Sequence, residues 1–254
     1  MDIFRFLAQQ PGASRDEIQA FTGAQAHQLR VLMFALCTTG LIRRDADGGY
    51  VNSALAETSL APHGPDSWRD ILVGWKTLYY PAFAHLTAAV REGTNTAALS
   101  AFSGTEPTLY QRLGHHPEHE SILHRSMSAF SLRSLPGLLD NADLTGVDRL
   151  LDVGGGDGTT ARELAALHPD LHVTVFDLSS VTDLARDGAL PGIEGRVHLH
   201  PGDLFDDPFP EGFGAVLFSH VLEVFSGDQI ASLLEKAVKA LPSGGKIFIY
   251  GFNA

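Results

Sequence analysis

The stretch Arg149-Leu150-Leu151-Asp152-Val153-Gly154-Gly155-Gly156-Asp157-Gly158 constrains this chain more than any other. A short apolar run breaks into a glycine cluster, and a segment with Ala161, Leu164 and Ala165 on one helical face follows at once. That order predicts a buried parallel strand, a tight turn and a helix N-terminus. Glycine lets the backbone take positive φ and approach a ligand closely. About 20 residues on, His172-Val173-Thr174-Val175-Phe176-Asp177 predicts a second strand ending in a carboxylate, the place where a ribose diol is gripped.

The glycine spacing discriminates between nucleotides. A dinucleotide fingerprint needs Gly-x-Gly-x-x-Gly, and counted from Gly154 the sixth position is Thr159. What stands is Asp-x-Gly-x-Gly-x-Gly, with Asp152 two residues before Gly154. A pyrophosphate would sit poorly beside Asp152 and Asp157, whose charges oppose the pull of a helix N-terminus. A ligand with an ammonium and a sulfonium tolerates them, so S-adenosylmethionine (SAM) is the expected ligand of Gly154, Gly155, Gly156 and Asp177. The alternative is a purely structural glycine-rich turn.

From residue 146 onward the pattern alternates. Strands are expected at 149–153, 172–176, 196–199, 214–218 and 246–251, with helices near 159–168, 179–187 and 227–241. The last helix carries Ile230, Leu233, Leu234, Ala237, Val238 and Leu241 on one face. This is a doubly wound α/β sheet, a Rossmann-like arrangement.

Upstream, residues 1–58 read as three short helices and a hairpin turning at Asp47-Gly48. Ser14 and Glu17 have capping-box spacing. The shape is that of a winged helix, which raises DNA binding. The third helix offers only His27 and Arg30 as cations, whereas tracking phosphates takes several Lys or Arg, so packing or dimerisation is the expected use. Residues 62–145 read as mostly helical, with the stripe Trp68, Ile71, Leu72 and Trp75 interrupted at Tyr79-Tyr80-Pro81. His115 and His119 have the i, i+4 spacing of a metal pair, but Pro117 interrupts that turn, so a solvated or substrate-lining segment is expected there. The expected division is an N-terminal winged-helix, dimerisation and substrate-lid domain over 1–145 and a SAM-binding domain over 146–254.

Composition narrows the partners. Thirty acids against 18 bases disfavour nucleic acid. The lone Cys37 lies in an apolar helical context and reads as packing in a cytoplasmic protein. No apolar run approaches the ~18 residues of a membrane span, and no signal peptide is visible.

Together, Leu151 to Gly158, Phe176-Asp177-Leu178, Gly202-Asp203-Leu204-Phe205 followed by Pro208, and Leu241-Pro242-Ser243-Gly244-Gly245-Lys246 carry a resemblance. The chain resembles the winged-helix-plus-Rossmann small-molecule O-methyltransferases, the group of plant caffeate-type and bacterial tailoring enzymes. The resemblance implies that Gly154 and Gly156 face the methionine part of SAM and that Asp177 holds the ribose. It implies that Asp203 accepts from the adenine amino group while Leu204 or Phe205 covers the ring. It also places Met127 and Ser131 near the sulfonium and the methionine carboxylate, adds Ser219 to the cofactor set, and implies a homodimer.

Two departures from the family pattern stand out. The family runs on past the fifth strand, so a longer chain is expected. At the catalytic position, where the family carries Leu-His-Asp-Trp, this chain has Ser219-His220-Val221-Leu222-Glu223-Val224-Phe225. Glu223 takes the place of the catalytic His, and His220 appears three residues earlier. An imidazole and a carboxylate at i, i+3 suit either a divalent metal (Zn or Fe, with His220 as ligand) or a proton relay. The metal reading resembles the metal-dependent C-methyltransferases of 2-oxo acids. The alternatives are metal-independent O-methylation of an aromatic hydroxyl, a non-catalytic SAM-binding homologue, and a winged-helix regulator.

Overall fold

The computed structural model describes residues 1–62, 66–94, 99–106, 108–186 and 195–251. The chain forms two compact units, Met1–Val73 and Gly74–Ala254, with residues 74–145 in the unit that holds the sheet. The reason lies in the long helix before the glycine turn: its Leu135 and Leu138 belong to the same buried cluster as Leu150, Leu164, Val173 and Leu217 of the sheet region.

The first unit contains α1 (Ile3–Gln9), α2 (Arg15–Thr22), α3 (Ala26–Thr38), the hairpin strands β1 (Ile42–Arg44) and β2 (Tyr50–Asn52), α4 (Ala54–Ser59) and most of α5 (Arg69–Gly74). The expected capping box closes the start of α2: Ser14 Oγ accepts from the Glu17 N–H at 3.3 Å, and the Ser14 N–H donates to Glu17 at 2.7 Å. Ile3, Leu7, Ile18, Leu29, Met33 and Ile42 form its core.

The second unit opens with a π-helical turn (Trp75–Tyr79), α6 (Tyr80–Phe83), α7 (Leu86–Glu92), α8 (Leu109–Leu113) and the 25-residue α9 (Pro117–Asn141). The π turn absorbs the Tyr79-Tyr80-Pro81 interruption, and Pro81 lies in the first turn of α6, where its missing N–H costs nothing. Because α9 starts at Pro117, His115 lies outside the helix and His119 inside it, so the two do not share a helical face. His115 instead pairs with Glu106 at 2.8 Å, and His116 with Ser103 Oγ at 2.6 Å.

There follow β3 (Arg149–Val153), α10 (Thr159–Leu167), β4 (His172–Asp177), α11 (Ser179–Ala185), β5 (Val197–Pro201), β6 (Ala215–Ser219), a 3₁₀ turn (Leu222–Val224), α12 (Gly227–Ala240) and β7 (Lys246–Tyr250). The strands pair in parallel in the order β5-β4-β3-β6-β7. Leu150, Leu151, Val153, Val173, Val175, Val216 and Phe218 are buried, which is why these strands read as continuous apolar runs. The chain order reverses direction across β3, so the C-terminal ends of β4, β3 and β6 surround a topological switch point, where open α/β sheets bind ligands. Among the described residues, no helix is long and apolar enough to cross a membrane.

Candidate functional site

The glycine turn sits at that switch point. Gly154, Gly156 and Gly158 have φ of 71°, 62° and 77°, a region that disfavours side chains. Crowding adds to this: a Cβ on Gly154 would lie 2.7 Å from Val221 Cγ2, and one on Gly155 would lie 2.6 Å from Asp152 Oδ2. The Gly154 N–H donates to the Phe176 carbonyl at 2.8 Å, binding the turn to the end of β4.

Asp177, the last residue of β4, closes on this turn. Its Oδ2 accepts from the Gly156 N–H and its Oδ1 from the Leu178 N–H, both at 2.8 Å. Burial pushes the Asp177 carboxyl up, against the two backbone donors and the nearby His124, which pull it down; Glu120 adds to the rise. Asp152 lies beneath Gly155, wholly buried, and neither of its oxygens has a hydrogen-bond partner among the described residues. Burial, with the charge of Asp177 behind it, pushes Asp152 up to about 7. Two carboxylates around a glycine cradle that no side chain could enter suit a cationic nucleoside and repel a pyrophosphate. The residues therefore fit SAM.

Helix α9 lines up a row that the sequence reading only partly found. Glu120, His124, Met127, Ser131 and Ser134 recur at i, i+4, i+7, i+11 and i+14, one face of a helix. His124 Nδ1 lies 3.8 Å from where a Gly156 Cβ would be, Glu120 accepts from Ser180 Oγ at 2.8 Å, and Ser128 donates to Asp157 on the turn. Met127 packs beside Leu78, Leu113 and Leu123. The carbonyl of Ser131 accepts from Ser134 Oγ at 3.1 Å. The stripe was visible in the spacing, but all its members except Met127 are polar, so hydrophobic periodicity did not flag it.

The loop after β5 holds the expected adenine set. Asp203 Oδ1 accepts from the N–H groups of Phe205 (2.8 Å) and Asp206 (3.3 Å), while Gln111 Nε2 approaches Oδ2 at 3.5 Å. Leu204 and Phe205 pack against the buried cluster of Phe176, Phe209 and Phe218, and Phe205 meets Phe225 edge-on at 5.1 Å. Lys236, which the sequence reading did not single out, donates to the carbonyls of Leu204 (2.8 Å), Phe205 (2.6 Å) and Asp207 (2.9 Å).

The pair at the changed catalytic position meets as expected, but not on a regular helix. Ser219 ends β6, opposite Tyr250 in the register. His220 then takes φ +55°, uncommon for a side-chain-bearing residue, before the 3₁₀ turn that carries Glu223. His220 Nδ1 faces Glu223 Oε1 at 3.5 Å, an ion-pair distance, and Nε2 is 2.8 Å from Ser134 Oγ. Tyr110 is half-buried within electrostatic reach of Tyr79, Asp177 and Glu223, and desolvation foremost pushes its phenol up to about 12. The metal expectation is not met by this donor set. Beside His220 and Glu223 no third ligand comes into place: among the described residues no group of three His, Cys, Asp or Glu is placed to hold an ion. A structural or catalytic Zn²⁺ needs three or four such ligands.

Residues 83–251 match the family model described as the O-methyltransferase domain. The chain belongs to the O-methyltransferase domain family. Among its relatives, an L-tyrosine C(3)-methyltransferase of Streptomyces lavendulae is 27% identical over 98% of this chain and 68% of its own length. A 3-hydroxy-5-methyl-1-naphthoate 3-O-methyltransferase of Streptomyces sahachiroi is 34% identical over 86% of this chain and 61% of its own. The chain thus spans about two thirds of the length of these relatives. The crystal structure of human N-acetylserotonin methyltransferase in complex with SAM superposes with a TM-score of 0.88 at 26% identity, over 97% of this chain and 72% of that one.

Proposed function

We propose that this chain is a SAM-dependent methyltransferase that methylates a hydroxyl of a small aromatic molecule in secondary metabolism, with the His220–Glu223 pair taking up the acceptor's proton. One observation carries the reading. At the C-terminal ends of adjacent parallel strands, the carboxylate suited to a ribose (Asp177, β4) and an imidazole–carboxylate pair (after β6) flank one glycine turn (after β3).

In this reading Gly154, Gly155 and Gly156 take the methionine part, Asp177 the ribose, and Asp203 with Leu204 and Phe205 the adenine. Met127, Ser131 and Ser219 complete the pocket. Bound SAM supplies an electrophilic methyl group, and the chain must orient the acceptor and remove its proton. A lone glutamate, at about 4.3, is a poor match for a phenol at about 10, while an imidazole at about 6.5 is closer. Glu223 beside His220 stabilises the imidazolium that forms, the service a carboxylate performs for histidine in hydrolase triads. The names of the relatives support an aromatic acceptor: one acts on a hydroxynaphthoate, another on tyrosine. The proposed partner is a second copy of the chain, and the proposed setting is cytoplasmic.

The test offers SAM with a panel of hydroxynaphthoates, simple phenols and 2-oxo acids, each with and without chelator, and reads products by mass. An O-methylated aromatic, formed equally well in excess chelator, is the expected result. Methylation of a 2-oxo acid that chelator abolishes would restore the metal-assisted reading. A protein that binds no SAM by calorimetry would remove both.

A further inference from the structure

His220 is held from three elements at once. Glu223 faces Nδ1 from the 3₁₀ turn, Ser134 reaches Nε2 from α9, and Tyr250 of β7 meets the ring edge-on at 5.3 Å. Tyr250 also fixes the surroundings: its carbonyl accepts from the His220 N–H at 2.8 Å, and its hydroxyl donates to the Ser134 carbonyl at 2.6 Å. Gly137 makes room for this clamp, since a Cβ there would lie 2.6 Å from the Tyr250 hydroxyl oxygen.

The charge of Glu223 beside Nδ1 and the hydrogen bond at Nε2 bias where the imidazole proton sits. An ionised carboxylate only accepts, so Glu223 favours a proton on Nδ1. The neutral ring then presents a lone pair at Nε2, and Ser134 Oγ, 2.8 Å away, has a hydrogen to give it. That hydroxyl has a second acceptor within reach, the Ser131 carbonyl at 3.1 Å. When the ring is an imidazolium, Nε2–H can donate to Oγ while the hydroxyl hydrogen swings to Ser131. Proton uptake at Nε2 therefore requires the Ser134 hydroxyl hydrogen to turn to the Ser131 carbonyl first, which frees the lone pair, and the imidazolium then regains Oγ as an acceptor.

We propose that Ser134 is a positioning residue for His220: its hydroxyl holds the imidazole in the Nδ1–H tautomer and gives the ring a partner in both charge states. The proposal rests on the acid–base role assigned above to His220 and Glu223. A serine, a histidine and a glutamate in this order have the outline of a hydrolase triad, but Ser134 lies inside α9, where the neighbouring backbone N–H groups are spent on the helix ladder. It lacks the oxyanion donors a nucleophile needs and acts here as a hydrogen-bond partner.

The test labels the full chain with ¹⁵N-histidine and reads the ring nitrogens of His220 by long-range proton–nitrogen correlation. The signal is assigned by its loss in His220→Gln or, should that variant not fold, by its contacts to the Tyr250 ring. The neutral wild-type ring is expected as Nδ1–H. Ser134→Ala should show averaged tautomers and a kcat lower by on the order of tenfold, with SAM affinity unchanged. Ser134→Thr, which keeps the hydroxyl, should restore both. A neutral wild-type ring found as Nε2–H overturns the proposal, as does a Ser134→Ala protein with wild-type nitrogen shifts and wild-type kcat. The tautomer is read without SAM or acceptor, so failure of the methyltransferase reading would show separately, as absent SAM binding.

Discussion

Asp152, next to last in the first strand of the sheet region, has both carboxylate oxygens buried and without hydrogen-bond partners among the described residues. Burial raises its pKa to about 7, far above its value in an unfolded chain. A carboxyl raised in this way favours folding fully below about pH 4, and that contribution is lost as pH climbs through about 7. Asp152→Asn keeps the shape and never ionises. In the ligand-free protein its stability relative to wild type should therefore grow between pH 5 and pH 8, by about 2 kcal/mol, as followed by denaturant unfolding. A difference that stays flat with pH would mean that Asp152 ionises in the fold without penalty. The glycines and Asp177 were legible in the sequence because motif spacing records steric exclusion and strand ends. The state of Asp152 was not, because it depends on how completely Gly155, Val175 and their neighbours close over it.

At the scale of elements, α12 shows what amphipathic patterning captures and what it omits. Of the apolar face read from the sequence, Leu233 and Ala237 are buried with Phe209, Phe213 and Val216, and Ile230, Leu234 and Leu241 pack beside them. Val238 is exposed to solvent, while Ala240, not read as part of that face, is buried. A capping box of Ser226 and Gln229 fixes the start of the helix, again as local sequence dictates. The task of Lys236, at the edge of that face, is invisible to periodicity because its three acceptors are backbone carbonyls some thirty residues earlier. Lys236→Met keeps the aliphatic stem and removes the ammonium. It should lower stability by about 1–2 kcal/mol and weaken SAM binding, since the loop of Leu204 and Phe205 loses its tether. Lys239→Met, exposed on the same helix, serves as the control and should change neither. Equal calorimetric SAM affinity in both variants would separate Lys236 from the cofactor loop.

At the scale of the whole molecule, the sequence located the sheet but not what the long helix before it packs against. A shift from mixed helices to strand–helix alternation suggested a boundary at 145/146, yet α9 puts apolar side chains into the sheet's core and its polar stripe against the glycine turn. Such contacts are tertiary, and a mixed helix face does not announce its partner. The first unit keeps its own core but leaves large apolar side chains in solvent: Val31 is 53% exposed, Phe34 70% and Leu55 64%. Val31 and Phe34 lie one turn apart on α3, so they form one exposed patch. Burying a valine or phenylalanine contributes about 1.5–3 kcal/mol relative to leaving it in water, and a two-fold interface counts each side chain twice. A homodimer closed through this face should therefore depend steeply on Phe34. The full chain should sediment as a dimer at micromolar concentration, and Phe34→Glu should weaken association on the order of a hundredfold or more. Phe34→Leu, which keeps an apolar surface, should stay dimeric. If wild type sediments as a monomer, the dimer reading fails outright. If Phe34→Glu sediments as wild type does, the dimer closes through some other face.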